Sequence, residues 1–410
     1  MSFSRLVYRL KRPYHFFKTG LRRGLWGQIK YHFPDKHIKV IAITGTDGKT
    51  TTSTLVYHIL NQAKIKAGLI STVEAKIGKK NIETGLHVTA PDPLQVHGFL
   101  RKMVNEHCQY AVLEMTSHGA YQYRDWGIHP AYAGLTNISH EHLDYHQTYN
   151  DYVDAKCLLL KKAKKVILNQ DDQSFYQVKK RLDLKQQEVD SYSLEENLDP
   201  TIQKAINQRF KEAYNHSNAR LAVAITQGIG VEAKIIAKAI TSFPGVDGRM
   251  DQVEYGQDFK LVIDFAHTPN AIDSVLGALK KQQKKGKLIA LFGSAGKRDI
   301  SKRPIMGKMA AKHADIVIIT ADDPRDEDIW SIIHQIKSGV EDNHHKIVSI
   351  PDRYQAIKFA LTQLAEKNDV VMLLGKGVEK SLAIGKEEIP WNDHAVAKQI
   401  IQEAKKGKRK

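Results

Sequence analysis

Residues 40–52 read VIAITGTDGKTTT: an apolar, β-branched run, a glycine-bounded turn, and then helix formers. That order predicts a strand feeding a phosphate-binding loop at a helix N-terminus. Gly45 and Gly48 let the backbone approach an anion closely, and free N–H groups together with the helix dipole favour negative charge there. Lys49 is placed to reach terminal phosphates, and the hydroxyl of Thr50 or Thr51 to sit on Mg2+. Ile43 stands where the common G-x-x-x-x-G-K-[ST] loop has its first glycine, which leaves the shorter Gly-Thr-x-Gly-Lys-Thr form. A glycine-rich turn that merely contains a lysine is the plainer alternative. Strand, loop and helix arriving in the required order argue instead for a nucleoside triphosphate.

From residue 38 onward, apolar strand-like runs alternate with helical patterns, which predicts α/β layers around mostly parallel sheets. The first series is Ile38–Thr44, Ala67–Ser71, Tyr110–Met115, Ala131–Ile138 and Lys165–Asn169. FPGVDGR at 243–249, rich in Gly and Pro, reads as a hinge. A second series follows: Leu261–Phe265, Leu288–Phe292, Ile316–Thr320, Lys346–Ile350 and Val370–Leu374. We therefore divide the chain into a short basic segment (1–37), an ATP-binding domain (38–243), a C-terminal α/β domain (244–400) and a basic tail (401–410). Polar clusters fall just after strands, where open α/β sheets bind ligands.

Composition narrows the partners. The chain has 410 residues, 42% of them apolar, and two cysteines, too few for a disulfide framework or a metal knuckle. There is no run long and apolar enough to span a bilayer and no secretory h-region, so a reducing cytoplasm is the simplest home. The formal net charge is +17, concentrated at the ends. Arg5, Arg9, Lys11, Arg12, Lys18, Arg22, Arg23, Lys30, Lys36 and Lys39 face only Asp35, and the chain closes on KKGKRK, a tail expected to be solvated. Leu21, Leu25, Trp26 and Ile29 recur at helical spacing among the arginines. Two readings stay open for this segment: a short helix packed on the next domain with its basic face in water, or a peripheral contact with an anionic membrane or a protein. Nucleic acid is not expected, because no reader motif accompanies the charge.

Two clusters follow strands in the first half. Glu114 ends the third predicted strand, and a carboxylate facing a phosphate loop is a natural Mg2+ ligand or, more plainly, a turn residue. His140, His142, Asp144 and His146 are dense enough to suggest zinc, but the spacing lacks a helical or knuckle context, and phosphate chemistry favours oxygen-rich Mg2+ sites. One histidine helping to hold Mg2+ is the preferred reading.

The order of the motifs carries a family resemblance. GTDGKTT, TAPDP (89–93), EMTSHG (114–119), TNISHEHLDYH…YVDAK (136–156), NHSNAR (215–220), PGVDGRM (244–250), DFAHTPNA (264–271), GSAGKRDISKRPIMG (293–307), DDPRDED (322–328) and GKGVE (375–379) succeed one another as in Mur ligases. The chain resembles most the branch that adds the third residue of the peptidoglycan stem peptide, over residues 38 to 390. The resemblance implies a central P-loop-type ATPase domain followed by a Rossmann-like domain. It also implies that ATP activates the side-chain carboxylate of D-glutamate in a UDP-linked muramyl dipeptide as an acyl phosphate, which a diamino acid then attacks. A ligase on another acceptor, similar to folylpolyglutamate synthetases, and a non-catalytic ATP-binding protein are the alternatives.

Residue roles carry over by the same match. Lys49, His142, Lys156 and Arg249 are implied as catalytic, and Lys156 as the lysine carbamylated by CO2 in this family. Thr50, Glu114, His142 and Lys156 would hold Mg2+. Gly45, Thr46, Gly48, Lys49, Thr50, Thr51, Asn215, Asn218, Arg249, Asp264 and His267 would contact ATP. Thr89, Ser117, Gln122 and Arg124 would grip the muramyl dipeptide. Asp322, Asp323, Arg325, Gly375 and Glu379 would meet the diamino acid, L-lysine or meso-diaminopimelate. Three departures stand out. Ala90 replaces a threonine, Val378 a histidine, and Asp323 an asparagine whose place an added carboxylate would make attractive to an ammonium. Only about 38 residues precede the loop strand, where the family carries a uridine-binding domain, so recognition of UDP is not expected to follow the usual route.

Overall fold

The run that opens the phosphate loop lies in the interior of a sheet. In the computed structural model, which describes residues 3–71, 74–83, 90–340 and 346–407, the chain divides into two units, Met1–Pro244 and Gly245–Lys410. The first holds β1 (Lys39–Thr44), β2 (Ala67–Ile70), β3 (Glu74–Ile77), β4 (Lys80–Glu83), β5 (Tyr110–Glu114), β6 (Tyr132–Leu135), β7 (Lys165–Asn169) and β8 (Glu188–Tyr192). They form one sheet in the order β4-β3-β2-β5-β1-β6-β7-β8, parallel except at the β2-β3-β4 edge. Ile43 of β1 pairs with Glu114 of β5 on one side and Gly134 of β6 on the other. That register sets the phosphate loop beside the Glu114 carboxylate. Val40 to Ile43 are almost completely buried, as expected of a parallel strand covered on both faces.

The second unit repeats the logic. β9 (Asp251–Val253), β10 (Lys260–Asp264), β11 (Leu288–Phe292), β12 (Ile316–Ile319), β13 (Lys346–Ser349) and β14 (Val370–Leu374) run in the order β13-β12-β11-β14-β10-β9. All pair in parallel except β9 with β10. A hairpin, β15 (Ser381–Ile384) and β16 (Glu387–Pro390), follows. The α/β class with mostly parallel sheets is thus present in both units. The basic tail needs a correction: the last helix, Asp393–Gly407, runs through its start, and Ile400 and Ile401 are buried in the core.

The N-terminal segment belongs to the first unit. Helix Phe3–His15 continues without a break as a π-helix, Phe16–Leu25, and then as Trp26–Lys30. Its packed face is made of glycines. A Cβ on Gly20 or Gly24 would lie inside the Trp126 side chain, and one on Gly27 would crowd His97 and the backbone at Leu94. Tyr8 is buried, with its ring stacked 4.6 Å from Tyr121. Of Leu21, Leu25, Trp26 and Ile29, the apolar residues that suggested a packed helix, Leu25 is half-buried and the other three are exposed. Periodicity identified the helix but not the face it buries, because the contact is set by the absence of side chains. We expect Gly24→Leu to lower the stability of the first unit by about 1–3 kcal/mol through overpacking against Trp126, read as a lower urea midpoint. An unchanged midpoint would show that this segment contributes nothing to the fold.

Candidate active site

Gly48 caps helix Lys49–Gln62 with φ +80°, a left-handed conformation open to glycine at little cost. A Cβ there would also strike the side-chain amide of Asn218, and one on Gly45 would strike the Thr136 hydroxyl. Asn215 and Asn218, the adenine candidates, therefore stand at the rim of the loop, joined by a 3.3 Å hydrogen bond on helix Ala213–Ile229. Asn137 braces the loop: its carbonyl accepts from Thr46 N at 2.9 Å and its side-chain oxygen from Asp47 N at 3.1 Å. Lys49 Nζ donates to Thr46 O at 2.7 Å. Thr50 donates to Glu114 Oε2 at 3.0 Å, while Thr51 lies half-buried on the same first turn. A hydroxyl and a carboxylate side by side at a helix N-terminus are hard oxygen donors, and they fit Mg2+ better than zinc.

Lys156 sits on helix Tyr149–Leu160 and is fully buried, with Nζ donating to the carbonyl of Gly45 at 2.6 Å. Burial, and then the positive charge of Lys49, push its pKa well below the ordinary lysine range. Tyr152, one turn back, completes the join: its hydroxyl lies 3.0 Å from Thr46 Oγ1, and its ring lies 4.6 Å beneath the Lys156 amine. His142 takes a left-handed backbone at the cap of helix Leu143–His146, 3.7 Å from Glu141, with its ring 6.2 Å from Tyr152. Lys49, Thr50, Glu114, Lys156 and, through Tyr152, His142 thus surround one loop. Among the described residues no three His, Cys, Asp or Glu side chains converge as metal ligands. The donors gathered here include a threonine and a lysine.

The residues expected to grip the muramyl dipeptide form one network. Ser117 Oγ lies 3.0 Å from His146 Nε2, and His146 Nδ1 lies 3.0 Å from the hydroxyl of Tyr8. Burial, with His118 and Lys156 nearby, holds His146 neutral. Gln122 donates to Tyr145 at 3.1 Å, and Arg124 donates to Gln122 at 3.1 Å and to the carbonyl of Ala90. Thr89 lies outside the described residues. Tyr8 and the role of His146 went unread in the sequence: Tyr8 is brought here by a helix whose packed face is written in glycines, and His146 was one of three clustered histidines of which only His142 was given a role.

In the second unit, Arg249 lies over the ring of Phe265 at 4.4 Å, and the ring of His267 stands 4.6 Å from that of Phe265. The Asp264 carboxylate accepts from Met250 N at 2.6 Å and Ala266 N at 2.7 Å, which fixes the turns that carry both. A second cluster surrounds Lys376, which is fully buried and lies 2.9 Å from Asp323 and 2.5 Å from Glu379. A Cβ on Gly375 would meet Asp322, and Ala383 N donates to Asp323 at 2.9 Å. Asp323 and Arg325 both have left-handed backbones, φ +47° and +53°, a strain on the order of 1 kcal/mol each held at this turn. Asp323, expected to present an added carboxylate to the substrate, is paired here with Lys376 at 2.9 Å. The group is buried and neutralised by Lys376, a residue no motif flagged as its partner.

Residues 43–238 match the Mur ligase middle domain and residues 248–377 the Mur ligase, glutamate ligase domain. The chain belongs to the Mur ligase family. It carries the two domains of an ATP-dependent ligase of peptidoglycan synthesis. The UDP-N-acetylmuramoyl-L-alanyl-D-glutamate–2,6-diaminopimelate ligase of Clostridium botulinum is 34% identical over 391 residues, 91% of this chain and 80% of that protein. The UDP-N-acetylmuramyl-tripeptide synthetase of Borreliella afzelii is 33% identical over 411 residues, 93% of this chain and 81% of that protein. A solved structure of a diaminopimelate ligase of the same name superposes with a TM-score of 0.58 at 28% identity, covering 93% of this chain and 82% of the other.

The acidic cluster of this Mur ligase makes a pH prediction. Burial raises Asp322 to about 6, against the pull of Lys376 and Arg353. The folded chain therefore keeps a proton that the unfolded chain sheds from about pH 4, and this contribution to stability is lost as pH rises through 6. Relative to the parent, Asp322→Asn should gain stability between pH 4 and pH 7 by on the order of 2 kcal/mol, measured by denaturant unfolding at each pH. Parallel pH profiles would refute the assignment.

Proposed function

We propose that this chain joins a diamino acid to the D-glutamate side chain of a UDP-MurNAc-L-Ala-D-Glu-type precursor, using ATP, in the cytoplasm. The observation that carries the reading is the buried Lys156 amine hydrogen-bonded to the phosphate loop beside Lys49. Lys49 and the loop N–H groups neutralise the transferring phosphate, and Asn215 and Asn218 hold the adenine end. Thr50, Glu114, His142 and Lys156 would hold Mg2+, which when bound supplies charge neutralisation for the phosphates. Carbamylation of Lys156 fits this set. Only a neutral amine adds CO2, and burial with Lys49 nearby shifts this amine toward its neutral form; the product, formed with loss of one proton, is an anion suited to a hard cation. Arg249, Asp264 and His267 are the proposed nucleotide contacts of the second unit, in domains taken as 38–243 and 244–400.

Thr89, Ser117, Gln122 and Arg124 would hold the muramyl dipeptide so that its carboxylate takes the γ-phosphate and is then attacked by the incoming amine. Such a path needs positioning and charge neutralisation more than covalent help from the protein. For the acceptor, Asp322, Arg325, Gly375 and Glu379 remain the proposed contacts. With Asp323 occupied by Lys376, Arg325 is left as a charge for a distal carboxylate, which favours diaminopimelate over lysine. The basic N-terminal segment is proposed as a point of peripheral contact with a membrane or a protein.

Phosphate release should require both the muramyl dipeptide and the diamino acid, with diaminopimelate outcompeting lysine. The acceptor should be tried with and without its UDP. Lys156→Ala should lower kcat on the order of a hundredfold or more, with partial recovery in the presence of a small carboxylate. ATP turnover indifferent to both substrates, or equal use of neutral amino acids, would end this reading.

A further inference from the structure

We infer that the outer face of the N-terminal helix docks this protein on an anionic lipid bilayer. Leu10, Tyr14, Phe17 and Leu21 are spaced four, three and four residues apart, which keeps them along one side of the helix, and Trp26 and Ile29 extend the apolar surface. All six are between 40% and 62% exposed. The side of the helix that packs on the domain is already committed to Trp126, His97 and Tyr121 through Gly20, Gly24, Gly27 and Tyr8. None of these outward residues belongs to the buried core, although Phe17 also edges a cleft with Tyr123 and Asp154.

Charge selects the occupant. From Met1 to Pro34 the sequence has no Asp or Glu, and Lys11, Lys18, Arg22, Arg23 and Lys30 are exposed around the apolar side chains. Arg23 is tied to Asp92 of the same unit at 2.9 Å; Lys18 is held 2.7 Å from the hydroxyl of Tyr14, a cation beside an amphipathic ring. A helix lying flat on the protein body, with aromatic and aliphatic groups outward and cations among them, matches a bilayer surface layer by layer. The acyl boundary takes Leu10, Phe17 and Leu21, and lipid phosphates take the lysines and Arg22. The helix is too polar to cross a membrane, and among the described residues no helix of the chain is long and apolar enough to do so.

The test is co-sedimentation of the full chain with phosphatidylglycerol–phosphatidylcholine vesicles and with pure phosphatidylcholine vesicles, at low and high salt. Binding is expected on the anionic vesicles, weakening as salt rises. A Lys11→Gln/Lys18→Gln/Arg22→Gln variant should bind on the order of a hundredfold more weakly, and a Leu10→Gln/Phe17→Gln/Leu21→Gln variant should lose at least tenfold. Both should keep the parent's urea midpoint, since none of these residues packs in the core. No binding, equal binding to neutral vesicles, or full binding by both variants would overturn the inference. So would a concentration-dependent dimer, without vesicle binding, that the apolar variant abolishes, because a second copy would then cover this face. Ligase turnover on water-soluble substrate is measured separately, so vesicle binding without turnover defeats the proposed function and leaves this inference standing.

Discussion

A fully buried lysine organises the first unit. Burying the Lys156 ammonium would cost several kcal/mol, and the chain meets this by offering the Gly45 carbonyl at 2.6 Å and the face of Tyr152 while lowering the proton affinity of the amine. That arrangement has a structural consequence before it has a chemical one. The hydrogen bond from Lys156 and the one between Tyr152 and Thr46 tie helix Tyr149–Leu160 to a loop that is otherwise short and rich in glycine. The loop is thereby held open in the shape of an anion cradle, with Asn137 bracing its other side. A phosphate loop without such bracing would have to pay its ordering entropy on binding.

How much of this could be read in advance divides along physical lines. The buried parallel strands were legible, because burial on both faces demands an unbroken apolar run and the sequence supplies one each time. The strands that escaped notice are of another kind. Glu74–Ile77 and Lys80–Glu83 form the antiparallel edge of the large sheet, Glu188–Tyr192 its opposite edge, and Asp251–Val253 the edge of the second. Each is short and carries charge on at least one face, so neither hydrophobicity nor a long alternation announces it. The N-terminal helix shows the same limit from the other direction. Leu21, Leu25, Trp26 and Ile29 gave the period, while its contact face is rich in glycines, which carry no periodic signal at all.

The candidate site was legible where chemistry demands a residue type at a fixed place in a turn, as in Gly45, Gly48, Lys49 and Thr50. It was not legible where charges find their partners only in three dimensions. Asp323 looked like a carboxylate added to a substrate pocket, yet more than fifty positions later the chain supplies Lys376, which also meets Glu379. Arg353 and Asp393 make a second fully buried pair close by, with the guanidinium also donating to the carbonyls of Ala321 and Leu374. Pairs of this kind stabilise little relative to apolar side chains, but losing one partner is costly, so each fixes the identity of the other.

The two units each bury a lysine, with opposite results. In the first, Lys156 is buried beside Lys49, and burial first and that charge second lower its proton affinity. In the second, Lys376 is buried among Asp322, Asp323 and Glu379, which raise its pKa against the cost of desolvation and keep it charged. Burial is nearly complete for both lysines, so burial alone does not decide their state. The neighbours do: Lys49 beside one, carboxylates around the other. Lowered proton affinity at Lys156 and raised proton affinity at Lys376 are opposite outcomes for one residue type. The same side chain serves both because its charge is set by what the fold places within a few ångströms of it.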